Sequence, residues 1–232
     1  MRMLSLVVLV GLSIASFTIR RRLPPVAAKR EIPFISLKPL KSPAFSMYCL
    51  ALLFQIIGFY TFITYVASTA VTKGAVSLQF GYLSIAILNA TTGVGRVVAN
   101  MVAHKFGAFN IIIPSLALSG AILCGGWPAV ENEIALVAVT VTYALCAAPH
   151  NALASRTIWV FADSGDVSLR IGLFNIFAAI AGLIGAPTAG EVNKGVGIQA
   201  MGEYAGGCGI VASVLLFGSR YLLLGKKLRG KI

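Results

Sequence analysis

Acidic residues are scarce: seven Asp and Glu stand against 19 Lys and Arg in 232 residues, leaving a formal net charge of +12. Charged side chains of both signs reach only 11% and His occurs twice, whereas 58% of residues are hydrophobic. A soluble domain keeps about a quarter of its residues charged to cover its surface. A chain this poor in charge excludes a water-soluble fold, and the same numbers exclude disorder, collagen and coiled coil. Nucleic acid is the usual partner of a basic chain, but these Lys and Arg residues lie in gaps between apolar runs, not on a folded polar face. No nucleic-acid partner is expected.

Cysteine is sparse as well. Cys49, Cys124, Cys146 and Cys208 each fall inside an apolar run with no C-x-x-C pair, so they are small packing residues. A metal-ligand cluster, a phosphate-binding glycine loop, a Ser-His-Asp arrangement and paired buried carboxylates are all missing. No enzyme activity, metal or cofactor is expected. The N-x-T sequon at Asn89 lies within an apolar run, where no glycan acceptor loop fits.

What the chain has is apolar length. About 20 residues rising 1.5 Å each cross roughly 30 Å of hydrocarbon. Runs of that order occupy residues 3–19, 44–72, 80–103, 109–127, 134–154, 169–189 and 203–224. They are apolar on all sides, unlike the short alternating strands of a membrane barrel. The expected fold is an all-α integral membrane protein, a polytopic helix bundle in a lipid bilayer.

Lys and Arg accumulate on the cytoplasmic side of such a bundle. One set of alternate gaps holds Arg20, Arg21, Arg22, Lys29, Arg30, Lys38, Lys41, Arg96, Lys105, Arg156, Arg170, Arg220, Lys226, Lys227, Arg229 and Lys231; the other holds Arg2, Lys73 and Lys194. This asymmetry predicts an outside N-terminus and a cytoplasmic C-terminus, with the plasma membrane as the expected location. Four of the acids, Glu131, Glu133, Glu191 and Glu203, then fall outside. The organisation is a transmembrane helix at 1–19, a basic cytoplasmic linker at 20–43 with Pro24, Pro25, Pro33 and Pro39, a six-helix bundle at 44–224, and a basic cytoplasmic tail at 225–232. A signal peptide is the alternative for the first run. Arg20, Arg21 and Arg22 argue against it, because a signal peptide carries its stronger positive charge on the other flank.

Helices in lipid associate through small residues that let backbones approach. The sixth run repeats Ala178, Gly182, Ala186 and Gly190, with Ala181, Gly185 and Ala189 beside them, and Gly202 and Gly206 begin a similar face in the last run. Among polar residues Arg96 stands out. An intramembrane arginine must face protein or water, so it is either an anion or gating site or a side chain snorkelling to the inner interface. Asn89, seven residues earlier, shares its helix face, and Thr92 joins them. Tyr143, His150 and Asn151 interrupt the fifth run around Pro149, whose missing N–H frees a carbonyl. That break either lines a cavity or is a kink with a core histidine. Asn175 in the sixth run, and Gln55, Tyr60 and Tyr65 in the second, complete the polar set.

Gly95-Arg96 followed by N-M-V-A-H-K-F-G, with Asn100, His104, Lys105 and Gly107, resembles the end of the eighth helix and the following conformational loop of major facilitator superfamily transporters, in particular the fungal monocarboxylate-transporter-like branch. Arg170-Ile171-Gly172 to Gly185, Pro187 and Gly190 is similar to that branch's eleventh helix, and Arg20 to Pro25 looks like the start of its central loop. The resemblance implies helices six to twelve, the C-terminal half of the fold, in a secondary transporter for a small organic anion or metabolite, proton coupling being an option. It also implies a missing N-terminal six-helix half as partner. Arg96, Asn89, Thr92, Tyr143, His150, Asn151 and Asn175 would line the translocation path. Thr92 stands where animal members carry an Asp, and His104 and Asn100 replace the loop's acid and glycine, so the charge contacts of that loop are altered. Export of a secondary metabolite and a truncated, non-transporting remnant or scaffold are the alternatives.

The threading predicts that a cysteine replacing Ala28 escapes a membrane-impermeant maleimide in intact cells while one replacing Lys194 reacts; labelling of the Ala28 position would reverse the assigned sides.

Overall fold

The computed structural model describes residues 2–18, 36–162 and 166–225. Most of the linker at 20–43 and nearly all of the tail at 225–232 therefore lie outside the described residues. The chain divides into two units, Met1–Phe34 and Ile35–Ile232. In the first, α1 (Arg2–Thr18) has 17 residues. At 1.5 Å per residue it is about 26 Å long, short of the hydrocarbon thickness.

The second unit holds α2 (Pro43–Thr72), α3 (Leu78–Phe106), α4 (Ala108–Ala121), α5 (Glu133–Phe161), α6 (Val167–Val196) and α7 (Ile198–Leu223). A 3₁₀ turn, Lys38–Lys41, precedes α2, and α4 runs into a π turn at Ile122–Gly126. With that turn included, all six helices are long and apolar enough to cross a membrane. This is an all-α, multi-pass membrane architecture. Most helices outrun the apolar runs that mark them, because a helix ends at a capping signal and not at the edge of the hydrocarbon. Ser77 caps α3 by accepting from the Phe80 N–H at 3.3 Å, and Asn132 caps α5 by accepting from the Ala135 N–H at 2.8 Å. Pro43 starts α2, where its missing N–H costs nothing. Gly107 and Gly197, with φ of 88° and 101°, each end one helix and begin the next. Only glycine takes that backbone conformation without strain.

α2 is the central element, packed against α7, α6 and α3; α3 packs on α5, and α4 on α7 and α5. Two aromatic layers fill the core. Toward the start of α2, Phe45, Tyr48, Phe109 and Phe174 are buried together; toward its end, Phe62, Trp127 and Tyr143 are. The Trp127 indole N–H donates to the Thr69 hydroxyl at 3.2 Å, so the buried ring leaves no stray donor.

Small residues set the helix spacing. A Cβ at Gly58 would lie 2.7 Å from the Ala205 carbonyl oxygen, and one at Gly120 would lie 2.7 Å from that of Gly206. In α6 the buried line is Ala181, Gly185 and Ala189, with Gly185 on the Ile57 backbone. Gly182 and Gly190 lie one step round and receive Tyr60 and Tyr65, whose hydroxyl donates to the Ala186 carbonyl at 3.1 Å. Pro187 lies on the exposed side. All four cysteines are free thiols, Cys49 and Cys208 fully buried.

At Gly206 an added Cβ would strike both Cys124 Sγ and the Gly120 carbonyl, whereas Gly207 has open space. Gly206→Ala is expected to destabilise the bundle by about 1–3 kcal/mol, as overpacking does. Gly207→Ala should leave it unchanged or slightly stabilised. Thermal unfolding of the two variants in detergent measures the difference.

Candidate functional site

α3 has three faces. Gly81, Ser84, Leu88, Thr92, Gly95, Ala99 and Ala103 are buried, and Gly95 meets α5 so closely that a Cβ there would lie 2.6 Å from the Ala148 side chain. Leu83, Val94, Val97, Val98 and Met101 are exposed and apolar, as a lipid-facing surface must be. Between these faces runs an exposed polar stripe of Tyr82, Asn89, Arg96 and Asn100. At about 100° per residue these four side chains project within roughly 40° of one another. The sequence spacing thus places Asn89 and Arg96 together. Thr92, one turn before Arg96, is buried beside the stripe, and its hydroxyl donates to the Leu88 carbonyl at 2.7 Å.

Asn89 and Asn100 donate back to the carbonyls of Ile85 and Arg96, each at 3.0 Å. These local bonds keep both amides on the helix surface and leave acceptor atoms outward. Arg96 forms no ion pair among the described residues. It stands about 15 Å from the C-terminal end of α3, counting 1.5 Å per residue. Exposure of a guanidinium to lipid at that depth costs several kcal/mol, so Arg96 either faces water or another protein surface or snorkels to the inner interface.

The stripe continues into a cavity between α2 and α3 of about 340 Å³. Thr64, Ser68 and Thr72 of α2 and Tyr82 of α3 give it hydroxyl groups, and Ile85 lines it one turn before Asn89. Tyr60, one turn before Thr64, is exposed on the same side of α2. These hydroxyls are not evident as a site in the sequence. The signal is the four-residue spacing of Thr64, Ser68 and Thr72, easily passed over because Ser68 and Thr72 bond their own helix, to the Tyr65 and Ser68 carbonyls at 3.1 and 2.8 Å. Grooves on the outer faces of α4 and α5 are lined mainly by apolar residues such as Ile134, Val137 and Val139, and suit lipid chains.

The remaining polar residues are dispersed. α5 runs unbroken through Pro149, so the expected interruption is absent as a break in the helix. Tyr143 and His150 are buried inside the bundle; Asn151 is partly covered and Asn175 is exposed on α6. At the end of α3, His104 and Lys105 are exposed in the last turn, where the positive charge of Lys105 suits the helix dipole. Gly107 is buried at the joint to α4. No cluster of three or more His, Cys, Asp or Glu able to hold a metal occurs among the described residues. The assembled chemistry is hydrogen bonding plus one unpaired cation, suited to binding a polar or anionic solute.

No family model matches the chain. It is similar to an "MFS-type transporter" of Gibberella moniliformis, 26% identical over 197 residues, 85% of this chain and 47% of that protein. It is also similar to "MFS transporter asaE" of Aspergillus flavus, 27% identical over 231 residues, covering 99% of this chain and 51% of the relative. A third relative, "Agnestins efflux protein AgnL12" of Paecilomyces divaricatus, is 23% identical over 225 residues, 97% of this chain and 50% of the relative. The chain spans about half the length of the curated relatives it matches. These three are named as transporters or an efflux protein, and none as an enzyme.

If the stripe on α3 is wet, a cysteine replacing Asn89 or Arg96 in membranes reacts with a water-soluble methanethiosulfonate, and one replacing Val94 or Val98 does not; equal reactivity of both pairs would show that the two faces share one environment.

Proposed function

We propose that this relative of fungal major facilitator superfamily transporters carries the C-terminal half of such a fold and serves to export a small organic metabolite, Arg96 receiving an anionic or strongly polar group of the cargo. The observation that carries this reading is the exposed, unpaired Arg96 in line with Asn89 on α3. The hydroxyl-lined cavity between α2 and α3 adds a place of metabolite size on the same side. Export, in preference to uptake of a monocarboxylate, draws its support from the efflux protein among the relatives.

In this reading a second six-helix half covers the polar face and closes the passage, with the site near mid-membrane and the two halves rocking about it. The arginine-rich ends face the cytoplasm, and the membrane is the plasma membrane. Coupling does not pass through a carboxylate one turn before Arg96, since that residue is Thr92. Arg96 therefore acts as a binding charge. Its guanidinium recognises a carboxylate or phenolate through paired hydrogen bonds.

Expression of the gene in a yeast strain challenged with fungal polyketides and aromatic acids tests the reading. Export is expected to fall by about tenfold in Arg96→Ala, equivalent to about 1.4 kcal/mol of lost binding, and to survive in part in Arg96→Lys. Membrane abundance is measured in parallel, and unchanged export in a normally abundant Arg96→Ala variant would remove Arg96 from the site.

A further inference from the structure

Where α2 faces α5, two sets of residues spaced seven apart run opposite each other: Tyr48, Gln55 and Phe62 on one helix, Thr157, His150 and Tyr143 on the other. The outer rungs are fixed by contact. The Tyr48 hydroxyl is hydrogen-bonded to the Thr157 hydroxyl and donates to the Ala154 carbonyl at 2.9 Å, while the Phe62 and Tyr143 ring centroids lie 4.4 Å apart. These contacts make the pair antiparallel. A seven-residue step advances each helix by about 10.5 Å and returns to within roughly 20° of the same direction. The middle rungs therefore point toward each other, with Gln55 at the level of His150.

Both are sealed from the outside, Gln55 at 2% exposure and His150 at 1%. Among the described residues, Gln55 Nε2 and both ring nitrogens of His150 have no hydrogen-bond partner. Groups buried this deeply are almost always satisfied, by protein or by an ordered water.

We propose that Gln55 and His150 form an internal water site at the centre of the bundle, a single water bridging the Gln55 amide to an imidazole nitrogen of His150. Two to four polar contacts suffice to hold such a water, and the Gln55 amide and the imidazole supply two. The site lies between α2 and α5, with the polar stripe on another face of α3, and stands whether or not the chain transports.

A double-mutant cycle on the full chain tests it. Gln55→Leu and His150→Phe are each expected to lower the thermal midpoint, because each strands the other's polar group. The double variant should recover part of that loss; strictly additive losses would overturn the proposal. A second measurement needs no variant to fold: magnetisation transfer from water to the His150 ring in histidine-labelled protein in micelles, with exposed His104 as reference. A long-lived water signal at His150 supports the site, and its absence overturns it.

Discussion

The bundle depends on backbones touching. In lipid, apolar side chains gain little by leaving one apolar surface for another, so helices hold together where they can come close enough for dense dispersion contact. α7 supplies this through Gly202, Gly206 and Gly209, set against the π turn and Gly120 of α4, and α2 repeats it with Gly58 on the Ala205 carbonyl. The π turn at Ile122–Gly126 belongs to the same arrangement: Cys124 within it and the Gly120 carbonyl just before it lie against Gly206. Once α2, α4 and α7 are locked together, the places of α3, α5 and α6 follow from the faces that remain.

That locking leaves α3 with a solvent problem of its own. One face is committed to α5, one is apolar enough for lipid, and the third carries Tyr82, Asn89, Arg96 and Asn100. A helix that met only protein and lipid would have no use for the third face. α6 differs, spending its small residues on α2 and its outward side chains mostly on Ile176, Ile180 and Leu183. Along α3 and the end of α2 the exposed polar residues line up on one side, Tyr82, Asn89, Arg96 and Asn100 beside Thr64, Ser68 and Thr72.

The six long helices of the second unit were legible in the sequence because lipid fixes a length, and length can be counted; the run at 3–19 yields the shorter α1. Their ends were not, since Ser77, Asn132, Gly107 and Gly197 decide them in the interface, where hydropathy carries no signal. Asn89 and Arg96 were legible as one face because seven residues nearly close two turns. Thr92 lies one turn from Arg96 in the sequence, but only the fold shows that packing buries it. The hydroxyls of Thr64, Ser68 and Thr72 were silent because such residues bond their own helix anywhere in a membrane. The juxtaposition proposed for Gln55 and His150 could not be read without knowing that Tyr48 meets Thr157 and Phe62 meets Tyr143.

Gly107 and Gly197 join α3 to α4 and α6 to α7 through a single residue each, at opposite ends of the bundle. A one-residue joint leaves no loop to absorb a shift, so a side chain added at either glycine would be felt by two helices at once.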